Sequence, residues 1–155
     1  MAPLVALDTC FIIALLDERD LWHSAAIGLL GPLGTTGTKQ FVFDCVLSEV
    51  VSTLARRTRE RHREADFPKL MEDISARFPR SSLTWVYPDL EKLYDELISL
   101  VRDTAGELNF NDALIALACR DRGIQWLASF DADFDRVPWL RRLKDPSELQ
   151  TPRLR

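Results

Sequence analysis

The segment PLVALDTCFIIALLDE, residues 3–18, carries the pattern on which the fold prediction depends. Its first part, residues 3–7, is a short apolar run rich in strand formers that stops abruptly at Asp8, which is typical of a buried strand. Residues 10–18 that follow are typical of a short helix. The segment therefore predicts a buried strand that ends at a carboxylate and leads directly into a helix.

The same alternation of strand-like and helical segments continues to the end of the chain. Further strands are predicted at residues 40–43, 83–87 and 124–129. Helices are predicted between these strands, in five places: 21 to about 30 with Asp20 as cap, from Asp44 into an arginine-rich stretch, about 66 to 78, from Pro88 to about 101, and from the cap Asn109 to Gly123.

Two stretches lack such periodicity. Residues 31–39 contain three glycines, one proline and three threonines, so they predict a loop. The tail after Phe134 contains three prolines and predicts irregular structure. The remaining alternation predicts an α/β fold, with a parallel sheet covered by helices on both faces. A length of 155 residues without repeat or linker predicts a single domain.

Composition excludes a disordered or fibrous chain, because 46% of the residues are apolar and 28% are charged. The formal net charge of −4 does not by itself suggest a nucleic-acid binder. The charge is uneven, however, since residues 56–63 (RRTRERHR) hold five arginines and one glutamate. This arginine strip could attract a polyanion locally while an acidic body presents carboxylates elsewhere.

The three cysteines, Cys10, Cys45 and Cys119, are widely spaced and include no C-x-x-C pair. They argue against a disulfide framework or a zinc site, and each is predicted to be a buried, inert thiol in a reducing cytosol. The apolar run 4–16 contains Asp8 and lacks a basic leader, so it predicts neither a membrane span nor a signal peptide. We expect a cytoplasmic protein.

Acidic residues fall where a parallel α/β fold gathers its chemistry, beyond the carboxyl ends of the strands. Asp8 ends the first strand, and the aspartates at 131, 133 and 135 follow the last one. Asp112 lies in the first turn of the helix before that strand, and Glu49 lies among apolar neighbours in the helix after the second strand. We expect these acids to converge at one edge of the sheet.

Each acid taken alone also has a purely structural explanation. Asp8 could end its strand through an Asx turn, and residues 131–135 could be ordinary turn acids. Asp112 could form a capping box with Asn109, and Glu49 could be a solvated helix residue without an ion-pair partner. Joint placement of all four at one edge is much harder to explain by chance.

Clustered carboxylates without histidine, cysteine or a glycine-rich loop support a narrow chemistry. Hard oxygen ligands suit Mg²⁺ or Mn²⁺ rather than zinc. Divalent ions held by carboxylates can activate water and stabilise the leaving oxygen in phosphodiester hydrolysis. His23 and His62 lack metal-ligand spacing, and no G-x-S-x-G, Walker or G-x-G-x-x-G motif occurs.

Four sequence blocks resemble the PIN-domain ribonucleases, in the order of that family. The first is LDTCFIIALLDERD (7–20) and the second is LSEVVSTLARR (47–57). The third and fourth lie together in LNFNDALIALACRDRGIQWLASFDADF (108–134). The segment FDRVPWLRRL (134–143) that follows is similar to the tail of the VapC-like toxins, the ribonuclease halves of type II toxin–antitoxin pairs. The resemblance extends over residues 4–143, nearly the whole chain.

The resemblance implies a three-layer α/β/α sandwich over residues 1–155, with a core at about 4–143 and an irregular tail at 144–155. It also implies RNA cleavage with Mg²⁺ or Mn²⁺, a frequent homodimer, and inhibition by a cognate antitoxin. Asp8 and Asp112 would hold metal directly, Asp131 would complete the site, and Glu49 would contact the metal directly or through water. The residues that would orient these carboxylates are Thr9, Asn111 and Ser129.

Some features depart from the family pattern or leave alternatives open. Ser129 stands where threonine is more usual, and Asp133 is an alternative to Asp131 as the fourth acid. The glycine-rich stretch at 31–39 looks longer than in compact members. Four arginines are candidate phosphate contacts, and a solvated helix end whose cations favour the helix dipole is an equal alternative: Arg56, Arg57, Arg59 and Arg61.

Two other functions remain open beside the toxin. One is a PIN-like nuclease that processes RNA or acts on DNA outside toxin systems. The other is a non-catalytic scaffold that binds RNA or protein, against which the complete set of acids argues.

Overall fold

The computed structural model describes residues 2–149. In this range the chain forms five strands and six α-helices, joined by turns and short 3-10 segments. In chain order the elements are β1 (Leu4–Leu7), α1 (Thr9–Leu16), α2 (His23–Thr35), β2 (Lys39–Phe43), α3 (Asp44–Glu60), α4 (Phe67–Arg77), β3 (Leu83–Thr84), α5 (Leu90–Asp103), α6 (Phe110–Asp121), β4 (Trp126–Ala128) and β5 (Arg141–Leu143).

The sheet is parallel throughout, with the strand order β3-β2-β1-β4-β5. The first strand lies at its centre, where Val5 pairs with Gln40 on one side and Trp126 on the other. Helices flank the sheet, so the predicted α/β architecture is confirmed. All strands point the same way, and their carboxyl ends therefore form a single edge.

The core lies between the sheet and two helices that are buried on nearly every side. Seven of the eight residues of α1 are buried, and α6 is buried from Asp112 to Cys119. The largest fully buried side chains are Phe11, Phe43 and Phe134. Because β1 leads into α1 and α6 leads into β4, this core fixes the backbone at the two chain segments that carry Asp8, Asp112 and Asp131. No described helix is long and apolar enough to span a membrane.

The predicted loop at residues 31–39 is wrong in its first half, because α2 continues to Thr35. Leu29 and Leu33 are fully buried and lie four residues apart on the same helical face. Pro32 lies in the last turn of the helix, where its missing N–H costs one hydrogen bond, to Gly28. Burial of the leucines outweighs this cost, and the turn between α2 and β2 is short.

The predicted strand at 83–87 ends after Thr84 for a reason that is distant in sequence. The carboxylate of Asp44, at the start of α3, accepts hydrogen bonds from the backbone N–H groups of Val86 (2.8 Å) and Tyr87 (3.2 Å). These amides therefore turn away from the sheet. A 3-10 segment at Tyr87–Asp89 then leads into α5.

The tail after Phe134 is more regular than predicted. Residues Arg141–Leu143 form β5, which pairs in parallel with β4 and buries Leu143 completely. A 3-10 segment follows at Pro146–Leu149. Residues 150–155, the end of the predicted irregular tail, lie outside the described residues.

Substitution Asp44→Ala is expected to lower the free energy of unfolding by about 2–4 kcal/mol. It removes the acceptor of three backbone N–H groups, those of Cys45, Val86 and Tyr87, and each unsatisfied buried donor costs about 1–3 kcal/mol. Urea unfolding measures the change, with Asp95→Ala on the exposed face of α5 as a matched control that shifts stability by less than about 0.5 kcal/mol. Equal stability of the two variants would show that Asp44 does not hold the β3–α5 turn.

Candidate active site

Four acids line one cavity of about 220 Å³ at the carboxyl edge of the sheet. Asp8 follows β1, Glu49 lies in α3, Asp112 lies in the first turn of α6, and Asp131 follows β4. Other residues that line the cavity are Thr9, Cys10, Ile13, Thr53, Arg56, Arg57 and Asn109. The predicted acids of the four sequence blocks are thus brought to one place.

Asp8 directs its carboxylate into the site rather than capping α1, for which it makes no side-chain hydrogen bond. Its Oδ2 atom accepts hydrogen bonds from Ser129 Oγ (2.7 Å) and Cys10 Sγ (3.1 Å). The residue is 4% exposed. Burial raises the pKa of Asp8, and these hydrogen bonds only partly oppose the shift.

Ser129 joins two of the acids. Its hydroxyl is fully buried, donates to Asp8 and accepts the backbone N–H of Asp131 at 3.0 Å. A single hydroxyl therefore sets the carboxylate at the end of β1 relative to the turn after β4. A threonine keeps the same hydroxyl and an alanine does not.

Asp112 combines the two explanations that the sequence offers for it. Its N–H donates to Asn109 Oδ1 (2.9 Å) and its Oδ2 accepts the N–H of Asn109 (3.2 Å), which completes a capping box. The same side chain lines the cavity. Burial raises the pKa of Asp112 to about 7, and the negative charges of the other three cavity acids add to the shift.

Glu49 is half-buried and held by two of the side chains predicted to orient the carboxylates. Its Oε2 atom accepts hydrogen bonds from Asn111 Nδ2 (2.7 Å) and Thr9 Oγ1 (3.2 Å). Asn111 Nδ2 also donates to the carbonyl of Cys45 on α3 (3.2 Å), which ties α6 to α3. Glu49 is therefore fixed in place by α1 and α6, and it is not a freely solvated residue of its helix.

The three aspartates after β4 have different surroundings. Asp131 lines the cavity, and its Oδ1 accepts the N–H of Asp133 (2.9 Å) in a turn. Asp133 does not line the cavity, and Asp135 is paired with Arg142 (2.7 Å). This placement favours Asp131 over Asp133 as the fourth acid.

The arginine strip divides between the cavity and other surfaces. Arg56 and Arg57 line the cavity, and Arg57 also forms an ion pair with Asp20 (2.7 Å). Arg59 lines a separate cavity between α3 and α4, and Arg61 lies just after α3. Two of the four candidate phosphate contacts therefore face the acids.

Cys10 has a role in the cavity that its sequence context does not reveal, because its apolar neighbours predict an inert core thiol. The thiol lines the cavity, donates to Asp8 and accepts the N–H of Phe130 (3.3 Å). Burial raises the pKa of the thiol, so it stays protonated and acts as a donor. Its position two residues after Asp8, in the first turn of α1, is the signal that could have revealed the contact.

The donors that face the cavity fit a hard divalent cation in their chemistry, since they are carboxylate oxygens. Within residues 2–149, no three or more His, Cys, Asp and Glu side chains form a ready-made metal site. The fit therefore rests on the type of donor. The raised pKa of Asp112 is consistent with this, because a nearby cation would favour the ionised form of the acids that crowd it.

Substitution Ser129→Ala is expected to lower the catalytic rate of this site by about 10–100-fold. This is the usual cost of removing a residue that orients a metal-binding side chain, here the carboxylate of Asp8. Ser129→Thr keeps the hydroxyl and is the matched control. Steady-state rates of the two variants, compared at equal folded fraction, measure the effect. Equal activity of the alanine and threonine variants would mean that the hydroxyl does not position Asp8 and Asp131.

Comparison with known proteins connects this cavity to one family. A sequence model of the PIN domain matches residues 5–140. One similar solved structure is the crystal structure of VapC20 from Mycobacterium tuberculosis, which is described as a toxin that cleaves the sarcin-ricin loop. The two sequences are 26% identical, and the structures superpose with a TM-score of 0.65. The alignment covers 86% of this chain and 95% of VapC20. A second is the crystal structure of VapBC2 from Rickettsia felis, bound to a DNA fragment from its promoter. The aligned sequences are 15% identical, with a TM-score of 0.63, and the alignment covers 90% of this chain and 97% of that one. No protein of curated function matches the chain significantly.

Proposed function

Because the chain belongs to the PIN-domain family, we propose that it is an endoribonuclease, the toxin of a toxin–antitoxin pair. The observation that carries this proposal is the convergence of Asp8, Glu49, Asp112 and Asp131 on one cavity. Arg56 and Arg57 at the same cavity provide positive charge for a phosphate backbone. The similarity to VapC20 supports RNA as the substrate.

Asp8, Asp112 and Asp131 would hold Mg²⁺ or Mn²⁺, with Glu49 in contact directly or through water. When bound, such an ion supplies a Lewis acid that polarises a phosphoryl oxygen and acidifies water. Without a cation, the carboxylates are close together and partly removed from water. Burial and the charges of neighbouring acids therefore raise the pKa of both Asp8 and Asp112. Their ionised forms are the ones that bind a cation.

The chain's own residues would then position the water that attacks the phosphorus. Both hydrogen bonds to Glu49 fall on Oε2, and no described residue donates to Oε1. Glu49 Oε1 is therefore available to accept a proton from that water. Asp8 is held by Ser129 and Cys10, so its carboxylate is preorganised rather than reoriented during the reaction.

An antitoxin protein and a second copy of the chain are the proposed protein partners. The antitoxin is proposed because the chain is similar to VapC20, which is described as a toxin. An adjacent small gene for a DNA-binding protein would support it. A PIN nuclease outside toxin systems would lack that neighbour.

Sequencing of RNA ends after induced expression tests the proposed function. We expect new 5′ ends at defined sites and growth arrest with the wild type, and neither with Asp8→Asn. Asp133→Asn, whose side chain lies outside the cavity, is the matched control and keeps both effects. Identical RNA ends with wild type and Asp8→Asn would reject the nuclease, and RNA cleavage without growth arrest would favour RNA processing.

Substitution Arg56→Ala is expected to weaken RNA binding and flatten its salt dependence. One lost phosphate contact lowers the single-strand slope by about 0.7. Arg59→Ala is the matched control from the same strip, and its slope stays unchanged because Arg59 lies outside the acidic cavity. Titrations at several salt concentrations measure the slope of log binding constant against log salt concentration for each protein. Equal slopes for the wild type and Arg56→Ala would show that Arg56 does not contact a phosphate of the RNA.

A further inference from the structure

Trp22 and Phe130 form a stacked aromatic pair whose outer ring is accessible. Their ring centroids are 4.9 Å apart and the planes differ by 7°. Phe130 packs in turn against Phe11, which is fully buried, at a centroid distance of 5.9 Å. Trp22 remains 46% exposed. The core therefore anchors the inner ring of the pair, and the indole is its outer member.

The pair is connected to the acidic cavity on both sides. Phe130 immediately precedes Asp131, and its N–H donates to Cys10 Sγ, which lines the cavity. On the other side, the backbone N–H of Trp22 donates to Asp20 Oδ1 at 2.9 Å.

Asp20 continues this connection to the cationic wall of the cavity. Its Oδ2 atom accepts from Arg57 at 2.7 Å, and Arg57 lines the cavity. Asp20 lies two residues before Trp22, the N-cap of α2, and is therefore too early to cap this helix. Its carboxylate instead joins the backbone N–H of Trp22 to the arginine. This bond positions the backbone at Trp22 relative to the cavity, and the stack on Phe130 orients the indole.

We propose that Trp22, supported by Phe130, is a stacking platform for a base of the RNA substrate next to the cleaved phosphate. This inference rests on the proposed function and adds a substrate-binding position to it. Unpaired bases stack on aromatic side chains, and such contacts tolerate any base. The platform therefore selects RNA that is single-stranded at this position, while Arg56 and Arg57 contact the backbone.

The competing explanation is that the ring pair merely fixes the start of α2. Substitution Trp22→Ala removes the indole whether its role is to bind RNA or to fix the start of α2. The RNA must therefore be varied as well, to separate the two explanations. We compare a labelled single-stranded oligoribonucleotide with versions that carry one abasic nucleotide at each position in turn. Binding is measured by fluorescence anisotropy in EDTA, and cleavage of the same RNAs is measured with Mg²⁺.

We expect Trp22→Ala to weaken binding of the intact RNA about tenfold, within the range of a base–aromatic stack. For the RNA that lacks the stacked base, wild type and Trp22→Ala bind equally. Trp22→Phe keeps most of the affinity. Tyr94→Ala, an aromatic of similar exposure on α5 and outside the cavity, leaves binding unchanged.

Equal weakening of the intact RNA and of every abasic RNA would overturn the platform, as would unchanged binding by Trp22→Ala. Unchanged RNA binding with loss of a protein partner would also overturn it, by assigning the pair to a protein interface. If Trp22→Ala does not fold, the comparison uses the quenching of indole fluorescence on RNA binding. The proposal requires more quenching in wild type than in Trp22→Phe, and equal quenching contradicts it.

The two proposals fail in different ways. A wild-type protein that neither binds nor cleaves any RNA rejects the proposed function and the platform together. A wild-type protein that binds and cleaves RNA, with Trp22→Ala unaffected on every RNA, rejects the platform alone.

Discussion

Asp112→Asn is expected to abolish RNA cleavage and, in EDTA, to make the protein more stable than the wild type. The two effects have one cause. Asp112 is buried beside three other acids, which is why its pKa is raised to about 7. The substitution keeps the shape of the side chain and removes one of the charges that a cation would otherwise neutralise.

The gain in stability has a defined dependence on pH. The pKa of Asp112 is near 4 in the unfolded chain and about 7 in the folded one. The folded wild type therefore binds more protons between these values, and its stability falls as the pH rises through this range. Solvent in the open cavity screens the interaction, so we expect a relief of ~1–2 kcal/mol at pH 8.

The capping box opposes this gain only weakly. Asparagine can still accept the N–H of Asn109 through its amide oxygen, so the hydrogen bond at 3.2 Å can be kept. The lost charge at the helix N-terminus costs about 0.3–1 kcal/mol. A net gain above pH 7 that disappears near pH 4 is the expected result.

Thermal unfolding at pH 4 and pH 8, with and without Mg²⁺, measures this balance. We expect Mg²⁺ to stabilise the wild type more than the variant. Asp95→Asn, on the exposed face of α5, is a control without a stability gain. An Asp112→Asn protein that is slightly destabilised at pH 8 and still cleaves RNA would contradict a catalytic role for Asp112. The residue would then serve only in the capping box of α6.

The convergence of the acids was predictable because it depends on the direction of the strands. A parallel sheet brings the residues after β1 and β4 to the same edge, whatever the details of the loops. Asp8 and Asp131 follow this rule directly. Glu49 and Asp112 lie on helices, so the rule applies to them less directly, and the family resemblance supported the expectation that they join the same cluster.

Other features depend on contacts between residues far apart in sequence. The end of β3 is set by Asp44, a residue about forty positions earlier, so the apolar pattern of 83–87 gives no sign of it. The extension of α2 depends on a core that buries Leu33. The pairing of Trp22 with Phe130 joins residues about a hundred positions apart in the chain, and neither residue has a local pattern that predicts it.

Removal of divalent metal is the second change with a large expected effect, because the cavity offers carboxylates and no cysteine or histidine nucleophile for hydrolysis. Cys10, the thiol that lines the cavity, has a raised pKa and donates to Asp8. Without an ion, the four acids repel both one another and the phosphates of RNA. Cleavage should therefore stop in EDTA, although the protein stays folded.

Cleavage of a single-stranded RNA by purified protein, in Mg²⁺, in EDTA and in EDTA followed by excess Mg²⁺, tests the central claim most directly. Asp8→Asn, purified in parallel, controls for a contaminating nuclease. The carboxylate site predicts cleavage in Mg²⁺, loss of at least ~1,000-fold in EDTA, recovery when Mg²⁺ is restored, and no cleavage by Asp8→Asn. Undiminished cleavage in EDTA that is absent from the Asp8→Asn preparation would contradict a metal-dependent site at these residues.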